Sequence, residues 1–475
     1  MPDPTRWRAL AIVCAAFFMT VLDVSIVNVA LPSIGRALHF SEDSLQWVIT
    51  AYAITFGGFL LLGGRAADFL GRRRIFLVGV VIFTLASFFC GLAWSEGVLI
   101  TSRAVQGFGA ALITPSALSI ITTAFPEGAE RNKALGIWGA IGGSGAAVGV
   151  LAGGVLTKYA GWEWIFFVNV PVGILAFVLA TRFVHESKAQ RVPTPDWAGA
   201  VTVTGGLALL VYAVSSAPAH GWSSGWTISR LVVAVLLLVA FLVIEARARD
   251  PLMPFHIFRV RTVAGANVAG LLLGAMIFAN FFILTLYVQG VLGWSALRTG
   301  LTFIATAGSA ILWAGVAQAL VTRIGVRIVT AIGFVAMIAA LILYTQVPVH
   351  ASYASDLLPG YLLMGFGLPF AFVPVSVAAL AGVSAEESGL ASGLINTAQQ
   401  IGGAIGVAVA SSVAVSHYTH LVSAGHRPPE ALTSGYQWAF WVMVGVGVVG
   451  LIASVALIRD DQLGPKREPA AAAAV

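Results

Sequence analysis

Fourteen apolar runs follow one another along this chain, near residues 8–31, 45–63, 75–93, 98–124, 134–157, 164–184, 197–216, 229–246, 262–288, 296–320, 328–346, 356–382, 389–416 and 435–458. Each is close to the roughly 20 residues that a helix needs to cross a bilayer. Hydrocarbon offers no water to backbone amides, so runs of this kind form helices that bond internally. The sequence therefore reads as an all-α polytopic membrane protein with fourteen transmembrane helices. A chain that is 59% hydrophobic and 10% charged, with mean hydropathy +0.92, has more apolar surface than a soluble fold can hide. The first run is too long for a signal-peptide core and has no small-residue cleavage site before Pro32, so it reads as a retained helix ending in a turn there.

Net charge is +6, and its distribution decides its meaning. With the amino terminus inside, twenty of the 26 lysines and arginines fall in segments on that side. Five fall outside, and Arg103 lies in a helix. That asymmetry predicts cytoplasmic termini in a plasma-membrane protein and accounts for the basic balance without a nucleic-acid partner. Cys14 and Cys90 each lie inside an apolar run and offer neither a disulfide framework nor a metal site. GVGVVG at 445–450 fits a dinucleotide pattern but follows no strand. HExxH and phosphate-loop patterns are absent from the sequence, so the chain reads as a non-enzyme without cofactor. His420 and His426 read as solvated outer-loop residues, not metal ligands.

The chain repeats itself. GRRR at 71–74 returns as GVR at 325–327, GFG at 107–109 as GFG at 365–367, and WIFFVNVPVG at 164–173 as WAFWVMVGVG at 438–447. These matches pair helices 2–6 with helices 10–14 in one orientation, as in transporters built of two parallel six-helix halves. The expected division is an amino-terminal bundle at 1–184, two inserted helices with flanking loops at 185–260, a carboxy-terminal bundle at 261–458 and a disordered tail at 459–475.

Asp23, in LDVSIVNVALP at 22–32, is the one carboxylate well inside an apolar run. A charge at that depth costs roughly 2.5–3.5 kcal/mol on insertion scales, and marks function or a structural pair. Asp23 lies about 12 Å from the outer end of its helix, and Arg103 about 8 Å from the outer end of helix 4, at 1.5 Å per residue. The two can meet, either as a proton-transfer pair or as a permanent structural one. GRAADFLGRRR at 64–74 reads as the loop between helices 2 and 3. Its glycines Gly64 and Gly71 allow close approach, Asp68 is placed to cap a helix, and arginines lie at the inner headgroups.

These segments carry a resemblance. G-x-x-x-D-x-x-G-R-R between helices 2 and 3 is similar to the signature of the major facilitator superfamily. Its fourteen-helix drug:proton antiporter branch is suggested by LDVSIVNVALP, QWVITAY (46–52), SRAVQGFGAA (102–111), WIFFVNVPVG and GLASGLINTAQQIGGAIGVA (389–408), over about residues 8–458. The resemblance implies proton coupling at Asp23 and Arg103. It also implies a cytoplasmic gate at Gly64, Asp68, Gly71, Arg72 and Arg73. An antiporter face on helix 5 would use Gly145, Gly149, Gly153 and Gly154. Two positions depart from the pattern: Val150 stands where the branch usually has proline, which puts a kink in doubt, and Glu163 where it often has arginine. Asn28, Gln106, Asn280, Asn396, Gln399 and Gln400 can line a central cavity or bond between helices. Trp47, Tyr52 and Trp313 can stack on a flat or cationic substrate or simply pack.

The expected function is proton-driven export of amphipathic small molecules such as drugs, dyes or antibiotics, by a monomer using the proton gradient. A dedicated exporter of one metabolite, lipid or self-made antibiotic is the alternative. A membrane sensor with a transporter fold would need a soluble domain, and the tails are short.

Overall fold

The computed structural model describes residues 5–459 apart from 42–43, 126–128, 188–195, 250, 254 and 382–387. The tail expected to be disordered lies almost wholly outside the described residues. Fourteen long helices are present among them: α1 (Arg6–Ala37), α2 (Trp47–Leu70), α3 (Arg72–Gly91), α4 (Glu96–Ala124), α5 (Ala129–Tyr159), α6 (Trp164–Phe183, interrupted at Val168), α7 (Trp197–His220), α8 (Gly225–Arg247), α9 (Arg261–Leu286), α10 (Ala296–Ile324), α11 (Val326–Tyr344), α12 (Leu358–Ala379), α13 (Ser388–Ser423) and α14 (Pro428–Leu457). Thirteen are long and apolar enough to span a bilayer. In α5 the apolar stretch found among described residues is Val148–Tyr159. The chain is a multi-pass membrane protein.

Two expected boundaries move. α1 does not turn at Pro32 but runs through it to Ala37, because neighbouring helices and local adjustment can satisfy a proline-freed carbonyl within a membrane bundle. The segment 64–74 is not a loop. α2 stays helical to Leu70, α3 starts at Arg72, and the whole link is Gly71 at φ +114°. Gly325, at φ +94°, is the whole link between α10 and α11. A side chain is strained in that region of φ, so a one-residue reversal between two spans selects glycine at both places.

The repeat is equally plain in the packing. Gly107 brings α4 onto Tyr52 of α2, and Gly109 brings it onto Phe83 of α3. In the second half Gly365 brings α12 onto Thr306 of α10, and Gly367 brings it onto Met337 of α11. Lipid is as apolar as a leucine side chain, so close backbone approach between small residues supplies association that the hydrophobic effect cannot.

The halves meet differently at their two ends. At the end away from the termini, Gly300 of α10 packs on the Val150 carbonyl of α5 and Gly154 on Leu297, while Gln289 Nε2 donates to the Val29 carbonyl at 2.8 Å. Toward the terminal end α10 presents open faces among the described residues. Gly308 and Gly315 face open space there, and Ile311, Leu312, Trp313 and Val316 are exposed. The inserted α7 lies along the opposite seam, where α2 meets α13. Its Thr204 covers Gly58 of α2, and Ser412 Oγ of α13 donates to its Val214 carbonyl at 3.1 Å. Leu207 and Val211 share an apolar cluster with Ala53, Ile54, Ala404 and Ala408. α7 is thus a strut between α2 and α13, which the sequence could not place.

Candidate functional site

Asp23 and Arg103 do meet, and they are sealed. Asp23 is 0% exposed and Arg103 1%, in a chain where an unpaired charge at this depth would be costly. Arg103 Nη1 donates to Asp23 Oδ2 at 2.5 Å and to Gln106 Oε1 at 2.6 Å, and its Nε donates to the Val48 carbonyl at 2.8 Å. The second carboxylate oxygen, Oδ1, accepts from Gln106 Nε2 at 2.8 Å and from Asn169 Nδ2 at 2.9 Å. Ser87 Oγ accepts from both amides at 3.1 Å and donates to the Phe166 carbonyl at 2.9 Å. The guanidinium lies 4.4 Å from the centre of the Tyr52 ring. Five elements, α1, α2, α3, α4 and α6, are therefore tied through one buried charge pair.

Local sequence explains the geometry. Arg103 and Gln106, three apart on α4, share a face. The interruption of α6 at Val168 precedes Asn169 directly, and Gly107 lets α4 approach the Tyr52 backbone closely. Asn169 and Ser87 were not among the expected site residues. Asn169 was legible as an amide within an apolar run, in a segment already quoted; Ser87 had no such signal, since a lone serine in an apolar helix usually bonds its own backbone.

The other expected residues are dispersed. Gln106 and Tyr52 belong to the charge network. Asn28 Nδ2 donates to the Val24 carbonyl and Asn396 Nδ2 to that of Ser392, each at 2.8 Å on its own helix. Gln400 abuts Gly57 at the α2–α13 seam, Gln399 packs on Gly270 and Gly274 of α9, and Asn280 is buried with Oδ1 unpartnered among the described groups. Trp47 lies 6.1 Å from the Tyr212 ring of α7, and Trp313 is 5.1 Å from Phe366 on α12. Gly145, Gly149 and Gly153 pack on Val21, Ser25 and Ile26 of α1, and Gly154 on α10. α5 is one unbroken helix through Val150. One buried charge lies outside the network: Glu245, in the last turn of α8, is 2% exposed.

The residues around Gly71 form a second structure. Glu186, just after α6, sits over the start of α3, where its carboxylate accepts from the backbone N–H of Arg73 at 3.1 Å and of Arg74 at 3.2 Å. An acid there satisfies orphan donors and complements the helix dipole. Arg72 N–H donates to the Ser187 carbonyl at 3.0 Å, and Arg73 Nη2 to that of Thr181 at 2.6 Å. Gly64 touches Pro115 of α4 at ordinary distance. Asp68 lies on α2, and its side chain is outside the described residues. A Cβ at Gly71 would stand 2.7 Å from the Glu186 carboxyl. Gly71→Val should therefore cost about 1–2 kcal/mol of backbone strain alone and displace Glu186 from the α3 terminus. Thermal unfolding in detergent is expected to move down, with Glu186→Gln moving it less.

The Major Facilitator Superfamily profile matches residues 13–407. The puromycin resistance protein pur8 of Streptomyces alboniger is 39% identical over 97% of this chain and 92% of its own length. The cephamycin export protein CmcT of Amycolatopsis lactamdurans is 39% identical over 95% and 92%. The multidrug resistance protein Stp of Mycobacterium tuberculosis is 36% identical over 83% and 73%. Among solved structures, a bacterial homologue of the lysosomal transporter Spinster, inward-facing and unoccupied, superposes with TM-score 0.67 at 16% identity, over 99% of this chain and 100% of that one.

Proposed function

The chain belongs to the major facilitator superfamily, and from that premise we propose that it exports amphipathic small molecules, antibiotics among them, in exchange for protons. Relatives named for resistance to, or export of, antibiotics match it over most of their length, which supports drug export. The observation that carries proton coupling is the sealed Asp23–Arg103 pair. Protonating Asp23 removes one of the two charges. Arg103 then loses its counter-charge, Asp23 gains an O–H donor, and the ties among α1, α4 and α6 are redistributed. Substrate leaving and proton entering thereby bias the same bundle toward different arrangements. Alternating access would open the halves first at one end and then at the other. The open space beside Gly308 and Gly315 of α10 toward the terminal end supports a cytoplasm-open state, with both termini cytoplasmic as the basic residues suggest. The protein acts as a monomer, holds no cofactor, catalyses no bond change and binds no nucleic acid.

The test is reconstitution into liposomes with an imposed pH gradient and a panel of puromycin, a cephamycin and cationic dyes. Accumulation that collapses when an ionophore removes the gradient is expected. Accumulation indifferent to the ionophore would refute coupling, and movement of a single compound would make this a dedicated exporter.

A further inference from the structure

We propose that Asp196 and Glu245 form a second proton-binding site, in which one proton is shared between their facing carboxyl oxygens. The site locks the inserted α7–α8 pair to the terminal end of α2. It is separate from Asp23 and does not depend on the coupling role given to that residue.

Each carboxyl has one oxygen committed to backbone. Asp196 Oδ1 caps α7 by accepting from Gly199 N–H at 2.7 Å, and Glu245 Oε2 accepts from Met253 N–H at 3.0 Å. The remaining oxygens border one point: the place where Gly199 would carry a Cβ lies 2.6 Å from Asp196 Oδ2 and 2.8 Å from Glu245 Oε1, which brings the two carboxyls into one another's reach. Both atoms are buried, and no donor among the described residues reaches either. Two ionised carboxylates so placed would repel with both lone-pair sets unsatisfied. One proton turns one acid into a donor and satisfies both, as in carboxyl dyads elsewhere. Glycine at 199 fits this reading, since a methyl there would enter the contact.

Among the described residues Arg65 of α2 is the cation acting on Glu245, and Asp196 the anion. Arg247, Arg249 and Arg259, nearby in sequence, are exposed. The Arg65 guanidinium donates to the Pro251 carbonyl, two residues from the Met253 amide that Glu245 holds. Leu252, between them, is buried with Leu62 of α2 and Ala200 of α7. Segment 251–253 is thus gripped from α2 on one side and α8 on the other. When the shared proton leaves to water, two negative charges face Arg65 and draw it from the Pro251 carbonyl. That loosens α2 six residues before its Gly71 link, on the side of its start at Trp47. The proton concentration at the terminal end is read out as tightness of the strut.

Infrared difference spectroscopy of the full chain in lipid nanodiscs, between about pH 5 and pH 9, tests the site; ordinary carboxylates are ionised over most of that range. A carboxylic-acid C=O band persisting near neutral pH is expected in wild type and equally in Asp23→Asn. It should be lost in Glu245→Gln, whose amide replaces the shared proton as donor, and in Asp196→Asn. Gly199→Ala, which alters neither acid, should shift it. A wild type without such a band, or a band unchanged in a folded Glu245→Gln or Asp196→Asn variant, overturns the proposal. Should both variants fail to fold, the wild-type and Gly199→Ala spectra decide it.

Discussion

Asp23→Asn is expected to fold, to reach the membrane and to lose gradient-driven export down to the level of empty liposomes. Asparagine keeps the shape, and its carbonyl still accepts from Gln106 or Asn169, which now reach Asp23 Oδ1 at 2.8 and 2.9 Å. It cannot titrate. Downhill movement of a dye should survive while proton counterflow disappears, so paired measurements of dye flux and internal pH distinguish an uncoupled carrier from a broken one. Uphill export at the wild-type rate would remove Asp23 from the coupling step.

Arg103→Ala is expected to be the most damaging substitution for the fold. It leaves Asp23 wholly buried without its counter-charge, and deprives the Val48 carbonyl and Gln106 of a donor. Breaking one side of a buried ion pair costs about 3–5 kcal/mol, comparable to much of a typical domain's stability of roughly 5–15 kcal/mol. The deficit should shrink as pH falls, because a protonated Asp23 no longer places an orphan charge in the bundle and a neutral carboxyl is cheaper to bury. Thermal unfolding followed across pH in detergent measures this. Arg103→Ala combined with Asp23→Asn should recover part of the loss, since the double variant buries no charge. A double variant as unstable as Arg103→Ala alone would mean that the guanidinium's packing on Tyr52, not its charge, holds the site together.

The sequence by itself determined the class, the number of spans and the internal repeat. Membrane-length apolar runs have one backbone solution in hydrocarbon; that Gly71 alone links α2 to α3, where 64–74 read as a loop, came only from the structure. The sequence also determined that Asp23 and Arg103 require partners, since depth along two antiparallel helices can be counted in residues and an isolated charge there is expensive. Which helices close around that pair was decided only in three dimensions. Asn169 and Ser87 join it through the interruption in α6 and the approach of α3. Tyr52 and Gln106, equally readable as cavity-lining residues, turn inward to the guanidinium because Gly107 brings α4 against α2. The same holds for the inserted pair: composition marks α7 and α8 as spans, but nothing local tells a helix which seam to cover. The place of α7 across α2 and α13, and the meeting of Asp196 with Glu245 beneath it, depend on surface complementarity between segments some 200 residues apart in places. Hydropathy records how deep a residue lies; it carries no record of the direction in which its side chain points.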